Sequence, residues 1–356
     1  MKKACIHGLS VSMQTSPEPM DASKQFCPNS ACSARGKLGA NTISIHGRKR
    51  PRYKCHLCGK TFSARGGTGV EGLRTAEEVV MKVIIFLAYG CPTQAIVHAF
   101  RVDERTVADW QRRAGKHCQQ VHEALVQDGK VVAHHVQADE IRVKGWNMIA
   151  WMGLAIEVST RLWLAGVVSV QRDKTLADRL LHQVRACCQT VQALLIATDG
   201  WNAYPKSILR AFREKVKRSA GRGRACLEVW PDLCIATVIK RTEKKRVVEV
   251  TRKLTWGMLE KAQSLLGMTV GCQQFNTSFR ERFNGTMRER LASLTRTCRH
   301  AAHRLDVLEA GMYVIGCTYN FCFPHHELSN TQHVGSPCTP AMAAGLTDHI
   351  WTVQEV

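Results

Sequence analysis

A carboxylate, an amide and a guanidinium follow one another at helical spacing late in the chain. They lie in the run SFRERFNGTMRERL, which begins at Ser278. Ser278 followed by Glu281 predicts a helix that starts with a capping box. Glu281, Asn284 and Arg288 are then three or four residues apart and share one helix face. This set suits a metal ion next to a phosphate. The alternative is that Glu281 only caps the helix, in which case Glu289, two turns further on, becomes the candidate ligand.

Two aspartates lie where strands of a sheet are predicted. Asp139 is inside the first predicted strand, and Asp199 directly follows the buried run VQALLIAT. Open α/β sheets hold their sites at such strand ends, so Asp139 and Asp199 converge if the two strands are neighbours. Glu281 would then face them from the packed helix. Glu140 follows Asp139, and because successive strand side chains point to opposite faces, we expect only one of the two to enter the site.

Three carboxylates in one place predict a site for hard divalent cations, here Mg²⁺ or Mn²⁺. Two such ions, about 3.5–4 Å apart, support in-line phosphoryl transfer. One ion activates the attacking water or 3′-hydroxyl, and the other stabilises the leaving oxygen. The carboxylates themselves need not act as bases.

A second metal site is predicted near the N-terminus, where two cysteine pairs flank a basic linker. Two pairs at tight turns can supply four thiolates to a tetrahedral Zn²⁺, as in a zinc ribbon. His46 and His56 are possible substitute ligands. The four predicted ligands are Cys27, Cys32, Cys55 and Cys58.

Three short helices are predicted after the cysteine pairs, at Thr75–Tyr89, Pro92–Phe100 and Arg105–Gly115. A short helix, a tight turn and a basic helix are the pattern of a helix-turn-helix, and a generic three-helix bundle is the alternative. The residues predicted to contact DNA are Arg105, Thr106, Arg112 and Arg113.

The order of elements after Lys130 predicts an α/β fold. Three antiparallel strands, a helix, a buried strand and a second helix are followed by a hairpin near 231–254 and late helices. The hairpin is basic, and it either contacts DNA or is a solvated edge protected by its charge. Trp201 and Tyr204 either stack on an unpaired base or belong to the core.

The charge balance restricts the class of partner. The 356 residues include 50 Lys and Arg against 29 Asp and Glu, a net charge of +21, which favours a polyanion and above all nucleic acid. An anionic membrane is the competitor, but no apolar run approaches the roughly 18–20 residues of a spanning helix. The polar N-terminus does not resemble a signal peptide, so we expect a cytoplasmic protein whose 16 Cys are thiols or metal ligands.

Three sequence runs resemble those of a known family. They are QADE at 137–140, ATDGWNAY at 197–204 and RERFNGTMR at 280–288. Together they resemble the DDE transposases of bacterial insertion sequences, in particular the insertion sequence one type, whose members carry an N-terminal zinc ribbon and helix-turn-helix. The resemblance covers most of residues 27–350.

The resemblance implies an RNase H-like catalytic core. In that core Asp139, Asp199 and Glu281 would hold Mg²⁺ or Mn²⁺, and Asn284 and Arg288 would support the site or the DNA phosphate. The interval between Asp199 and Glu281 is long for a compact core, and the predicted hairpin accounts for it as an insertion or an extension of the sheet.

The function implied is that of a transposase, which binds the ends of its own insertion sequence and catalyses metal-dependent strand cleavage and strand transfer. Its partners would be the terminal inverted repeats, target DNA and further copies of itself, with no membrane, on the nucleoid of a bacterial cytoplasm. A non-catalytic zinc-ribbon and helix-turn-helix regulator, and an RNase H-like nuclease or resolvase, are the alternatives. The expected division is a disordered lead at 1–24, a zinc ribbon at 25–68, a helix-turn-helix domain at 72–120, an RNase H-like DDE domain at 128–325 and a C-terminal tail at 326–356.

Overall fold

The chain divides into two compact units, Met1–Leu73 and Arg74–Val356. The computed structural model describes residues 21–29, 31–39, 41–47, 52–128, 131–188, 191–217, 225–244, 246–269, 273–294, 302–331 and 335–356. Most of the predicted disordered lead therefore lies outside the described residues. The finer division into domains stays a prediction. None of the described helices combines the length and the apolar character needed to cross a bilayer.

The first unit is a small antiparallel sheet beside the cysteines. Its strands are β1 (Ile43–Gly47), β2 (Arg52–Cys55) and β3 (Thr61–Ser63), in the order β1-β2-β3. The turn between β2 and β3 closes through a hydrogen bond from the Gly59 N–H to the Cys55 carbonyl, at 2.9 Å. Gly59 adopts a φ of 70°, a left-handed conformation that suits glycine.

The second unit opens with three helices, α1 (Glu77–Ala88), α2 (Thr93–Phe100) and α3 (Glu104–Leu125). The prediction that the third helix ends at Gly115 is wrong, because α3 continues to Leu125. A Cβ on Gly115 would lie 2.4 Å from the Cα of Ala310, in the later helix α8 (Leu305–Phe321). Gly115 therefore serves the close packing of α3 against α8 and does not end the helix.

A six-stranded mixed sheet forms the centre of the second unit. Its strands are β4 (His135–Lys144), β5 (Ile149–Glu157), β6 (Trp163–Ser169), β7 (Leu194–Thr198), β10 (Leu233–Glu243) and β11 (Arg246–Trp256), in the order β11-β10-β7-β4-β5-β6. The strands β4, β5 and β6 are antiparallel, whereas β7 runs parallel to β4. The predicted neighbourhood of the first and fourth strands is confirmed, with Ala138 opposite Thr198.

Helices cover both faces of this sheet, which confirms the mixed α/β class. On one face lies α4 (Lys174–Cys187), joined by α5 (Ala203–Ala211), and on the other lie α6 (Leu259–Gly267), α7 (Ser278–Arg290) and α8. The described chain also contains a 3-10 helix (Ala292–Leu294), two short helices, α9 (His326–Thr331) and α10 (Pro340–Ala343), and a two-stranded sheet of β8 (Arg213–Val216) and β9 (Cys226–Val229).

The predicted hairpin near 231–254 is confirmed as β10 and β11. Strand β10 pairs with β7 from Leu233 to Thr237, and this pairing extends the sheet. Beyond Thr237 the residues of β10 pair only with β11, and both strands are largely exposed there. The outer part of the hairpin is therefore a two-stranded ribbon that projects past the end of β7.

Candidate metal centres

The four predicted cysteines form one cluster in the first unit. Their Sγ atoms all lie within 4.8 Å of one another. The Sγ atoms of Cys27 and Cys58 are 3.6 Å apart, and those of Cys32 and Cys55 are 3.8 Å apart. Thiolates about 2.3 Å from a tetrahedral Zn²⁺ would be about 3.8 Å from one another, so the cluster has the dimensions of a zinc site.

The two histidines considered as substitute ligands, His46 and His56, are exposed and are not members of the cysteine cluster. Burial raises the pKa of Cys27 to about 12. A hydrogen bond from the backbone N–H of Lys60 lowers the pKa of Cys58 to about 6. This shift favours the thiolate of Cys58, the form that binds metals.

A second cluster lies where the middle of β4 meets the carboxyl end of β7. One carboxylate oxygen from each of Asp139, Glu140 and Asp199 lies within 4.8 Å of the other two. The predicted convergence of Asp139 and Asp199 is thus confirmed. The side chains of Asp139 and Asp199 are 16% and 29% exposed, whereas that of Glu140 is only 2% exposed.

The expectation that only one of Asp139 and Glu140 enters the site is wrong. Strand β7 ends at Thr198, opposite Ala138, so the edge of β4 beyond Ala138 has no paired neighbour on that side. Side chains from both faces of β4 can reach around this free edge. Asp139 approaches from the side covered by α7, and Glu140 approaches from the side covered by α5.

Helix α7 supplies two contacts to Asp139. The guanidinium of Arg280 forms an ion pair with Asp139, and the Asn284 Nδ2 donates to its Oδ2 at 3.0 Å. Both Arg280 and Asn284 are buried. This hydrogen bond to Asp139 is consistent with the predicted supporting role of Asn284. Arg288, one turn further along α7, is half-buried, and neither Arg288 nor Glu289 belongs to the carboxylate cluster.

The start of α7 differs from the predicted capping box. The N-cap residue is Thr277, and no side chain caps the helix in the usual way. Instead, the Asn276 Oδ1 accepts from the Ser278 N–H at 3.2 Å, and the Gln137 Oε1, on β4, accepts from the Arg280 N–H at 3.1 Å. Because Gln137 is two residues from Asp139, this bond fixes the first turn of α7 beside the carboxylates.

Glu281, the third predicted ligand, lies near the cluster but outside it. One of its oxygens accepts from Lys240, on β10, and from the Thr277 hydroxyl at 3.1 Å. Burial alone would raise the pKa of Glu281, but the hydrogen bond and charge of Lys240, aided by Arg280, bring the pKa below its usual value. The side chain is 47% exposed, so it can change position.

Glu140 is held by groups that the sequence did not indicate. The Tyr204 hydroxyl donates to its Oε2 at 2.8 Å, and Arg172 donates to its Oε1. Arg172 also lies 3.7 Å from the Oδ2 of Asp199, and its guanidinium is stacked 4.6 Å from the ring centre of Trp201. Burial raises the pKa of Glu140. Tyr204 is buried, which agrees with the core alternative.

Four charged residues of the site were not predicted as site residues, and only one of them left a signal in the sequence. Arg280 precedes Asn284 by four residues, so the two share a helix face with the apolar Phe283 and Met287, and these four are the buried residues of α7. A prediction that took this apolar face as the buried one would have placed Glu281 at the edge of the buried face of α7. The other three residues, Glu140, Arg172 and Lys240, reach the site only through the sheet topology.

The residues predicted to contact DNA lie on α3. Arg105 is exposed and Thr106 is half-buried. Arg112 forms ion pairs with Asp109 at 3.2 Å and with Asp306, on α8, at 3.9 Å. Arg113 pairs with Asp109 at 3.1 Å. Two of the predicted contacts are therefore engaged within the protein.

No protein-family model matches the sequence, and no similar curated protein was found. Among solved structures, one chain of a simian T-cell lymphotropic virus intasome in complex with PP2A regulatory subunit B56 gamma aligns with 74% of this chain and 74% of its own. The identity is 11% and the TM-score is 0.32. A likeness this weak carries no argument, so the functional conclusion depends on the site itself.

Proposed function

We propose that the protein is a DDE transposase, which cuts DNA at the ends of its own insertion sequence and joins those ends to target DNA by metal-dependent phosphoryl transfer. The observation that supports this most directly is the convergence of Asp139, within β4, and Asp199, directly after the parallel neighbouring strand β7. The resemblance in sequence implies the same two residues as ligands. We interpret the mixed sheet as an RNase H-like core on that basis.

The donor atoms at the cluster fit a hard divalent cation, because all are carboxylate or amide oxygens. The buried Asn284 Oδ1 has no hydrogen-bond partner among the described residues. A buried acceptor without a partner is costly unless a water or an ion satisfies it, which supports a cation site here. Mg²⁺ or Mn²⁺, when bound, would supply activation of the attacking oxygen and stabilisation of the leaving oxygen.

The protein's own groups would position the reactants. Asp139 and Asp199 would form the base of the site, and Arg280, Asn284 and Gln137 keep α7 and β4 in register beneath it. Glu281 remains our proposed third ligand, since its partly exposed carboxylate is carried by the same helix. Lys240, released from Glu281, would be a cation for the phosphodiester.

DNA is the proposed partner because the chain carries a net charge of +21. We propose that Zn²⁺ occupies the cysteine cluster, and that helices α1–α3 act as a helix-turn-helix which binds the terminal inverted repeats. Two DNA ends must be joined in transposition, so we propose that copies of the chain assemble on DNA, at the bacterial nucleoid.

Strand transfer tests this function. Labelled duplexes taken from the DNA that flanks the gene are incubated with the protein, Mg²⁺ and a target plasmid, and joined products are counted. We expect joining by the native protein and none by Asp199→Ala, while Asp348→Ala, at a side chain 95% exposed, serves as the matched control. Undiminished joining by Asp199→Ala would refute the proposal.

The same assay separates the alternatives. Cleavage of branched DNA without a preference for terminal repeats, and without joining, would indicate a nuclease or resolvase. Binding of the repeats without cleavage in any divalent metal would indicate a regulator.

A further inference from the structure

Arg172 lies between two carboxylates of the site and pairs with them unequally: it hydrogen-bonds to Glu140 and forms only a longer ion pair with Asp199. It donates to Glu140, while its Nη2 stays 3.7 Å from the Oδ2 of Asp199, beyond hydrogen-bond distance. The other oxygen of Asp199, Oδ1, accepts from the Trp201 N–H at 3.0 Å. Oδ2 is therefore the oxygen of Asp199 with which a cation would interact.

We propose that Glu140 is a positioning residue, which takes the hydrogen bonds of Arg172, prevents a close pair between Arg172 and Asp199, and so keeps the Asp199 carboxylate available to a divalent cation. This inference rests on the proposed function only in taking Asp199 to be a metal ligand. It gives Glu140 a role different from that of a third ligand, although its oxygen lies within the cluster.

The contacts of Glu140 favour positioning over ligation. Each of its two oxygens already accepts a hydrogen bond, Oε1 from Arg172 and Oε2 from Tyr204. Its side chain is 2% exposed, far less than those of Asp139 and Asp199. A carboxylate this enclosed and this fully engaged can exchange its partners for an ion only by breaking an ion pair inside the protein.

The charge of Glu140 is what this role requires. Without that charge, Arg172 would lose its partner, and Asp199 is the nearest carboxylate to which it could turn. A guanidinium–carboxylate hydrogen bond is among the strongest that proteins form, so the new pair would compete directly with the cation. The stacking of Arg172 on Trp201 keeps the guanidinium within reach of both carboxylates.

A double-mutant cycle on the full chain tests this role through binding of Mn²⁺ alone, measured by electron paramagnetic resonance. Glu140→Gln keeps the shape and an acceptor for Tyr204 but removes the charge, and we expect it to weaken Mn²⁺ binding by about tenfold or more. Adding Arg172→Met removes the competitor, and we expect the double variant to bind Mn²⁺ within about threefold of the native protein. Arg172→Lys paired with native Glu140 should retain nearly native affinity.

Matched controls are Glu260→Gln, in the first turn of α6, and Arg179→Met, within α4, neither of which should change Mn²⁺ affinity. Thermal unfolding of each variant identifies any general loss of structure. Failure of Arg172→Met to restore binding in the Glu140→Gln background would overturn the inference, because a direct ligand cannot be rescued in this way.

Failure of the proposed function would look different. If Asp199→Asn left Mn²⁺ binding unchanged, the cluster would not be the cation site at all, whatever the cycle showed. If Asp199→Asn abolished binding while Glu140→Gln left it intact, the positioning role alone would be refuted.

Discussion

The cysteine cluster and the carboxylate cluster are built in opposite ways. The four cysteines come from one short stretch, Cys27 to Cys58, and three of them are among the six buried residues of the core of their small unit. The carboxylates come from Asp139 and Glu140, on β4, and from Asp199, directly after β7, and only the sheet topology brings them together. A large apolar core, independent of any ion, supports that sheet. We therefore expect the first unit to need a bound metal for its structure, whereas the carboxylate cluster would be formed by the sheet before any metal binds.

This difference predicts that the largest effect of a single substitution on structure is in the first unit. Cys55→Ser should abolish binding of Zn²⁺ and expose the amides of β1–β3 to hydrogen exchange, because metal binding supplies the folding free energy of such small modules. Mass spectrometry of exchange in the full chain, with bound zinc counted in parallel, measures both. Cys226→Ser, at an exposed cysteine outside the cluster, is the control. Retained zinc and protected amides in Cys55→Ser would contradict the comparison.

Substitutions in the carboxylate cluster should lower DNA cleavage without changing the structure of the sheet. Asp139→Asn is expected to lower Mg²⁺-dependent cleavage roughly a thousandfold, about 4 kcal/mol of transition-state stabilisation, while hydrogen exchange in β4 and β7 stays native. The amide still accepts from Asn284 and Arg280, so the fold keeps most of its contacts. Unfolding of the sheet in this variant would show that the structure around the carboxylate cluster also depends on its ligands, as we expect for the cysteine cluster.

Substitution of Glu281 should have a smaller effect, and it tests whether Glu281 is the third ligand of the site. We expect Glu281→Gln to lower cleavage about a hundredfold, less than Asp139→Asn, because Asp139 and Asp199 would remain in place. Glu289→Gln, on the same helix, is the control. Equal losses of cleavage in Glu281→Gln and Asp139→Asn would show that Glu281 is as important to the site as the aspartates. No loss would remove it from the site.

The smallest expected effect comes from Lys240. Lys240→Met frees Glu281 from its ion pair, so the affinity for Mn²⁺ at pH 8 should rise by about threefold. Because Lys240 helps to hold the pKa of Glu281 below its usual value, its loss should also move the acid limb of Mn²⁺ binding to higher pH. Lys261→Met, at an ion pair with Asp232 elsewhere, should change neither quantity. A fall in affinity would mean that Lys240 supports the site instead of competing for it.

The comparison also explains what the sequence could predict. The cysteine ligands were predictable as a set because they are close along the chain and their spacing is the signal. Asp139 and Asp199 were predictable because the residue that follows one strand lies beside its parallel neighbour, and Asp139 is within that neighbouring strand. Glu140 was not, because it points to the opposite face of β4 from Asp139, and the two carboxylates can meet only around the edge that β7 leaves free by stopping at Thr198. The position of β7's last residue cannot be derived from periodicity.

Helix α7 shows the same limit. Its existence and extent followed from the sequence, but its first turn is held by Gln137, which lies far away in the chain and was indistinguishable from any other strand residue. The capping box Ser278–Glu281 satisfied every local rule and still does not form. Local propensity decided that there is a helix, and tertiary hydrogen bonds decided how it is anchored.

Helix α3, which continues past Gly115, has a consequence for where DNA would be cut. It has 22 residues and so spans about 33 Å, close to one turn of B-form DNA. Its first half belongs to the proposed repeat-binding helices, and its second half lies against α8, which packs on the six-stranded sheet. A continuous helix of this length would fix the distance between the recognised repeat and the cleaved bond. The number of base pairs between the recognised repeat and the cleaved bond would then be a property of the protein, and adding half a helical turn of DNA between them would carry the bond to the far side of the duplex.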